Sequence, residues 1–96
     1  MAPEKASLRA QVIGRVQGVG FRYFAEQVAE EMDLFGYVMN CRDRSVEIVA
    51  EGERAALEHL LRHLKQGPPA ARVERVEETW GPYTGRFKEF SVRFGG

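Results

Sequence analysis

The stretch from Gly14 to Arg22 combines residue types that can bind an anion through the backbone. It reads Gly-Arg-Val-Gln-Gly-Val-Gly-Phe-Arg, with three glycines in its first seven positions. Glycine accepts left-handed backbone conformations and lets a ligand approach the main chain closely. At the start of a helix the first N–H groups have no internal partner and carry partial positive charge. Arg22 adds a planar fork of donors suited to phosphate oxygens. The stretch therefore predicts a phosphate-binding loop between a strand and a helix.

Two better-known phosphate-binding motifs do not describe this stretch. The Walker pattern requires Lys followed by Ser or Thr after its last glycine, and Gly18 has no such successor. The dinucleotide fingerprint requires a third glycine three residues after Gly20, where Tyr23 stands. One alternative stays open, a tight connection whose glycines only turn the chain, with Arg22 paired to Glu26 one helical turn later.

The composition predicts a single globular domain and disfavours several function classes. Ninety-six residues suffice for one core but are few for two. Fourteen basic and fourteen acidic residues cancel, whereas dedicated nucleic-acid or membrane-surface binders normally carry a basic excess. No segment has the apolar run of a signal peptide or a membrane span. Cys41 is the only cysteine, which excludes an intrachain disulfide and fits a reducing compartment. We therefore predict a cytoplasmic protein that binds neither nucleic acid nor membrane.

Three other groups of residues could carry chemistry but are better explained as structure. His59 and His63 are four apart on a predicted helix, a spacing that can hold a metal, but no third ligand is evident and we interpret both as solvated. Cys41 is interpreted as a structural thiol. Phe21 and Phe24 stand at helical spacing, which favours core packing over the base stacking that RNA-binding sheets use.

The hydrophobic periodicity places these residues on strands and helices. Alternation with a period of two predicts half-buried strands, and apolar residues three or four apart predict amphipathic helices. Residues 1–6 are predicted to form a short flexible tail, and a break in alternation between Val73 and Val76 predicts a bulge. The predicted order is a strand at 7–16, a helix at 21–33, strands at 35–41 and 46–51, a helix at 53–66, and strands at 71–80 and 90–94.

This order predicts an α+β fold of the ferredoxin-like split βαβ type, an antiparallel sheet with two helices on one face. In that arrangement the first two strands run parallel, with the third strand between them. The carboxyl ends of the first and second strands therefore share one edge of the sheet. Because the glycine stretch follows the first strand and Asn40 lies at the end of the second, we expect Asn40 to face a ligand held by the stretch.

Two segments resemble the signature segments of the acylphosphatase family. The first is residues 14–22. The second reads Gly-Tyr-Val-Met-Asn-Cys-Arg-Asp-Arg-Ser-Val-Glu from Gly36 to Glu47, and its Asn40 follows Arg22 by eighteen residues. Chain length, element order and the Gly-Pro-Pro-Ala stretch at 67–70 also match. The resemblance covers nearly the whole chain, 1–96, as one domain. It implies the ferredoxin-like fold and hydrolysis of the carboxyl–phosphate anhydride of small acyl phosphates to carboxylate and inorganic phosphate.

The resemblance also implies roles for individual residues. Arg22 is similar to the family's phosphate-binding arginine, and Asn40 is similar to the asparagine that orients the attacking water. The loop whose backbone N–H groups hold the phosphoryl oxygens would comprise Gln17, Gly18, Val19, Gly20 and Phe21. The implied occupant is a small acyl phosphate, inorganic phosphate or another anion, with no metal or organic cofactor. The protein is expected to be a monomer.

Arg44 departs from the family pattern, which usually has glycine after the aspartate of this hairpin. Turns without glycine are less favourable where φ must be positive. We therefore expect either a rebuilt turn or an Arg44 side chain that reaches toward the anion. A second interpretation of the chain is an inactive or repurposed relative, such as the acylphosphatase-like domain of hydrogenase-maturation carbamoyltransferases, which handles carbamoyl phosphate. The chain length favours the free-standing enzyme.

Overall fold

The computed structural model describes residues 3–94, and these form five strands and two helices. The predicted order of elements is confirmed. The strand β1 begins inside the segment predicted as a tail, because Lys5 and Ala6 pair with Glu53 and Gly52 of β3. Residues 1 and 2 of that predicted tail lie outside the described residues. The elements are β1 Lys5–Arg15, α1 Phe21–Glu31, β2 Phe35–Asn40, β3 Val46–Glu53, α2 Arg54–Gln66, β4 Arg72–Pro82 and β5 Phe90–Arg93.

The five strands form one sheet in the order β4-β1-β3-β2-β5. The strand β3 pairs antiparallel with both β1 and β2, so β1 and β2 run parallel with β3 between them, as predicted. The predicted ferredoxin-like sheet is confirmed; its pairs are antiparallel except at β5, which pairs parallel with β2. The chain leaves β4 at Pro82, opposite Ala6, and enters β5 at Phe90, opposite Gly36. Residues 83–89 thus lead from one edge strand to the other, and the sheet is mixed.

Both helices pack on the same face of the sheet and share one hydrophobic core. Leu8, Ala10 and Val12 alternate along β1 and are completely buried against the helices. Phe21, the first residue of α1, is also in this core, so packing anchors the start of the helix. The buried helical residues are Phe21, Ala25, Val28 and Ala29 in α1, and Ala56, Leu57, Leu60, Leu61 and Leu64 in α2.

The predicted bulge between Val73 and Val76 is confirmed, and it lies at the end of β1 where the glycine stretch begins. Ile13 pairs with Arg75 but Gly14 pairs with Val73, which leaves Glu74 as the extra residue of β4. Gly14 has φ 140, and a Cβ there would lie 2.2 Å from the carbonyl oxygen of Arg72. Glycine is therefore required for this close approach, and the bulge bends the sheet beside the stretch that follows.

A buried carboxylate holds the connection between β4 and β5 against the sheet. The sequence alternation of β3 assigns Glu51 to a polar face, yet only 1% of this residue is exposed. Glu51 accepts hydrogen bonds from the backbone N–H groups of Thr84 and Gly85 and from the Thr84 hydroxyl, the last at 2.8 Å. A buried carboxylate is stable when donors surround it in this way. This contact fixes the segment that leads into β5, the strand that reaches the candidate site.

Candidate active site

The glycine loop, residues 16–20, connects β1 to α1 in a conformation that leaves backbone donors exposed. Gly18 and Gly20 have φ values of 75 and 77, and a Cβ at either position would meet nothing within 4 Å. Glycine is needed here for its left-handed conformation rather than for space. The first helical hydrogen bond runs from Phe24 N to Gly20 O, so the preceding N–H groups have no partner within the helix. No acidic side chain lies in the first turn of α1, which leaves its positive dipole end uncompensated.

One cavity brings most of the predicted site residues together. It has a volume of about 200 Å³ and is lined by Val16, Gly18, Gly20, Phe21, Arg22, Tyr23 and Asn40. We call it the Asn40 cavity. Gln17 and Val19, which the resemblance places in the phosphate loop, are not among these lining residues. Val19 packs against the core, and the Gln17 side chain turns toward the β2–β3 hairpin.

Asn40 lines this cavity and carries a buried acceptor that has no partner among the described residues. Its Oδ1 atom is buried and accepts no hydrogen bond from any described residue. A buried polar atom without a partner costs about 1–3 kcal/mol relative to a satisfied one. Such exceptions are rare in folded proteins and require an explanation. Asn40 is one of the residues that line the cavity, and its Oδ1 atom keeps the capacity to accept a hydrogen bond from a small donor, of which water is the smallest.

The Arg22 side chain is held by the end of β5. Its Nη1 atom donates to the carbonyl oxygen of Arg93 at 3.3 Å, and its guanidinium carbon lies 4.6 Å from the ring centroid of Phe94. Stacking on an aromatic face is favourable for a guanidinium and leaves its edge donors available. Within the described residues Arg22 forms no ion pair with Glu26, the partner expected if the loop were only a connection. Arg22 therefore keeps donors for an anion.

The strand end that supports Arg22 is itself braced on the opposite face of the sheet. The Arg93 guanidinium lies 3.9 Å from the ring centroid of Tyr37. The Tyr37 hydroxyl donates to Glu47 at 2.9 Å, and Glu47 forms an ion pair with Arg9 at 2.6 Å. Burial, together with the hydrogen bond to Glu47, raises the pKa of Tyr37, so its hydroxyl stays a protonated donor at neutral pH. The Tyr37 hydroxyl thus links the end of β5 to the Glu47–Arg9 ion pair.

Gln17 joins the glycine loop to the hairpin that follows Asn40. Its Nε2 atom donates to the carbonyl oxygens of Cys41 at 2.8 Å and of Ser45 at 2.9 Å. The hairpin turn is closed by a hydrogen bond from Cys41 N to Ser45 O at 2.9 Å. Because Asn40 directly precedes Cys41, one side chain fixes the separation between the loop and Asn40. The resemblance places Gln17 among backbone donors, whereas the structure gives its side chain a bracing contact.

The hairpin turn keeps the conformation that normally requires glycine. Arg44 has φ 74, so an arginine here adopts the positive φ that glycine favours. The turn is stabilised by Asp43, which accepts hydrogen bonds from the hydroxyl and backbone N–H of Ser45. These bonds lower the pKa of the Asp43 carboxyl. The stabilisation is therefore present above the carboxyl's ordinary pKa and is lost as the pH falls through its lowered value. The Arg44 side chain does not line the Asn40 cavity.

The remaining candidate groups lie away from this cavity. His59 and His63 are half-buried rather than solvated, because their rings lie 4.4 Å apart and His63 also lies beside Phe24 of α1. Among residues 3–94, no three His, Cys, Asp or Glu side chains are grouped closely enough to hold a metal ion. Neither helix of the described chain has the length and apolar character needed to span a membrane.

The chain is similar to proteins of one family. The family model described as Acylphosphatase matches residues 8–92. A relative named acylphosphatase from Thermus thermophilus is 58% identical over 85 residues, covering 88% of this chain and 96% of the relative. The crystal structure of acylphosphatase from Bacillus subtilis gives a TM-score of 0.88 at 39% identity, covering 92% of this chain and 98% of that one. The crystal structure of full-length HypF in its phosphate- and nucleotide-bound form gives a TM-score of 0.86 at 28% identity, covering 97% of this chain but 12% of that one.

Proposed function

The chain belongs to the acylphosphatase family, and we propose that the Asn40 cavity is where it hydrolyses the carboxyl–phosphate anhydride of small acyl phosphates. The relative from Thermus thermophilus is named acylphosphatase, and this chain is likewise a hydrolase that acts on acyl phosphates. One observation carries the assignment of the site. The glycine loop, Arg22 and Asn40 line the same small cavity, and the buried Oδ1 atom of Asn40 has no hydrogen-bond partner among the described residues.

The phosphoryl group of the substrate is the part that this cavity suits. Phosphoryl transfer depends mainly on positioning and on stabilising negative charge. The backbone N–H groups of the glycine loop and the first turn of α1 supply fixed donors without reorganisation. Arg22 supplies a planar cation, already oriented by Arg93 and Phe94. In this proposal, residues 17–21 and Arg22 bind the phosphoryl oxygens, and inorganic phosphate binds in the same way.

Asn40 is proposed to hold the attacking water. The water oxygen forms a bond to phosphorus while the bond from phosphorus to the acyl oxygen breaks. The acyl group leaves as a carboxylate with the electron pair of that bond. A neutral amide is a poor base, so we assign the water's proton to a phosphoryl oxygen of the substrate. Asn40 then contributes orientation, and no side chain needs to change its protonation state.

The alternative of a repurposed domain that handles carbamoyl phosphate is not favoured. HypF shares the fold at 28% identity over 12% of its own length. The acylphosphatase from Thermus thermophilus is 58% identical and is matched over 96% of its length. The Arg22 and Asn40 positions are both retained in this chain. We therefore keep acyl phosphate hydrolysis as the proposed activity.

Further properties belong to the same proposal. We infer that the enzyme is cytoplasmic, because its single cysteine suits a reducing compartment. We also propose that it works as a monomer. We infer that it binds neither nucleic acid nor membrane, because its charges balance. A guanidinium, backbone N–H groups and an amide can together stabilise the charge of a transferring phosphoryl group, so we propose catalysis without a metal or organic cofactor.

The direct test is phosphate release from acetyl phosphate and from benzoyl phosphate, with and without a metal chelator. We expect hydrolysis of both compounds, with rates that the chelator leaves unchanged. A phosphate monoester such as 4-nitrophenyl phosphate serves as the control and should be hydrolysed far more slowly, because its leaving group is poorer. Absence of acyl phosphate hydrolysis would remove the proposed function. Loss of activity in the presence of the chelator would contradict only the proposal that catalysis needs no metal ion.

Gln17 provides a prediction about how the two halves of the site are held together. Replacing Gln17 with methionine keeps the side-chain length but removes both bonds to the hairpin. We expect kcat for acetyl phosphate to fall about tenfold, because small displacements of reacting groups are costly in rate. The matched control is Gln27→Met, since Gln27 is exposed on α1 and bonds only within that helix. Equal kcat in the Gln17 variant and the wild type would contradict the bracing role.

A further inference from the structure

A second cavity also borders the glycine loop, at Val16 and Gln17. It has a volume of about 580 Å³ and is lined by Gly14, Arg15, Val16, Gln17, Arg44 and Glu74. We call it the Arg44 cavity. Val16 lines both this cavity and the Asn40 cavity, so the two are neighbours. Gln17 is also a lining residue of the Arg44 cavity, and its side chain braces the loop to the hairpin. The proposed hydrolysis of the anhydride does not use the cationic side chains that line this second cavity.

The guanidinium groups of Arg15 and Arg44, which line the Arg44 cavity, have no partner among residues 3–94. Arg15 and Arg44 are both exposed, and neither side chain forms an ion pair or hydrogen bond with another described residue. Glu74 lines the same cavity and is likewise unpaired within the described chain, so the three side chains give a net charge of plus one. Arginine in a protein stays charged at all physiological pH values. The cavity is therefore a cationic surface with its donors available.

The backbone of Arg44 supports a role for its side chain. Its φ of 74 lies in the left-handed region, which glycine adopts readily and which is unfavourable for other residues. The turn is held there by bonds from Arg44 N to Cys41 O and from Gln17 to Cys41 and Ser45. The turn would therefore be better served by glycine, and what arginine adds is a cation at a fixed position.

We propose that Arg15 and Arg44 bind a second anionic group, carried on the acyl part of the substrate. The preferred substrates would then be acyl phosphates that bear an additional carboxylate or phosphate. A guanidinium fork matches either group with two hydrogen bonds. The proposal rests on the proposed function, because it assumes that the phosphoryl group lies in the neighbouring Asn40 cavity. Glu74 opposes such a ligand and sets an upper limit on its attraction.

The test compares two substrates of equal chain length, succinyl phosphate and butyryl phosphate, through the ratio of their kcat/KM values. We expect the wild type to favour succinyl phosphate. In Arg44→Gln and in Arg15→Gln this ratio should fall about three- to tenfold, the range for losing one partly exposed charged contact. In Glu74→Gln the ratio should rise. The control for a general loss of charge is Arg62→Gln, because Arg62 is exposed on α2 away from the cavity.

The Arg44→Gly variant distinguishes the effect of the charge on the substrate ratio from the effect of the turn conformation on stability. This variant removes the guanidinium and also relieves the left-handed arginine, so Tm should rise while the substrate ratio falls as in Arg44→Gln. An unchanged ratio in the Arg15 and Arg44 variants would overturn the inference, and so would an equal fall in Arg62→Gln. In either case, continued hydrolysis of butyryl phosphate would leave the proposed function intact. Failure of the wild type to hydrolyse either compound would instead remove the proposed function, and the inference with it.

Discussion

Replacing Asn40 with alanine is expected to lower kcat for acetyl phosphate by about 100- to 1,000-fold, the usual cost of losing a group that orients a reacting species. Asn40 lines the cavity, and its buried amide oxygen has no partner among the described residues. Its proposed role is to hold the attacking water, and the proposed ligands of the phosphoryl group are the glycine loop and Arg22. Inhibition by inorganic phosphate should therefore change by less than about threefold, because ground-state anion binding is retained.

The stability of the Asn40→Ala variant offers an independent readout. Removing a buried acceptor that has no partner also removes its desolvation cost. We expect the variant to unfold at the wild-type temperature or slightly above it, despite its loss of activity. Cys41→Ala, at the next position of the hairpin, is the matched control and should keep wild-type turnover. If Asn40→Ala retained wild-type kcat, the water-holding role would have to be abandoned.

Replacing Arg22 with lysine is expected to lower kcat/KM by about 100-fold or more, although the charge is kept. In the wild type, one N–H of the planar guanidinium donates to the carbonyl oxygen of Arg93, and others are free to donate to a phosphoryl oxygen. The ammonium group of lysine lacks this planar arrangement of donors. Lysine also loses the stacking of a guanidinium on Phe94. Arg22→Ala should reduce kcat/KM by about 1,000-fold, because the cation itself is then missing.

Phosphate binding distinguishes Arg22 from Asn40. The inhibition constant for inorganic phosphate should rise in both Arg22 variants, whereas it should hardly change in Asn40→Ala. Arg62→Lys provides the control for exchanging these two residue types on an exposed helix surface. Circular dichroism and thermal unfolding would verify that each variant is folded. Unaltered phosphate inhibition in Arg22→Ala would show that this residue does not bind the phosphoryl group.

Local sequence patterns were sufficient for much of the fold. The alternation of Leu8, Ala10 and Val12 predicts β1, and the stripe of leucines from Leu57 predicts α2, because each pattern matches the period of its own element. The order of these elements then suggests the split βαβ arrangement, which brings the ends of β1 and β2 to one edge. For that reason the sequence predicts that Asn40 and the glycine loop lie close together, and both line the Asn40 cavity.

The pairing of β5 could not be obtained in the same way. Its direction depends on residues 83–89 and on the hydrogen bonds that Thr84 and Gly85 donate to the Glu51 carboxylate. Those contacts join positions more than thirty residues apart in the chain. Glu51 follows the alternation of an exposed polar residue, so nothing local marks it as buried. Its burial results from the loop that folds over it.

The sequence by itself determined the chemical groups of the site: glycines that permit a left-handed loop, an arginine fork and an asparagine amide. It determined them because residue type and local spacing set backbone freedom and hydrogen-bonding capacity. The tertiary structure alone decided how these groups are held. Arg22 is oriented by a carbonyl oxygen 71 positions away, and Gln17 reaches a hairpin 24 to 28 positions away. The direction of a side chain depends on which neighbours the folded chain brings to it, and such neighbours leave no periodic trace in the sequence.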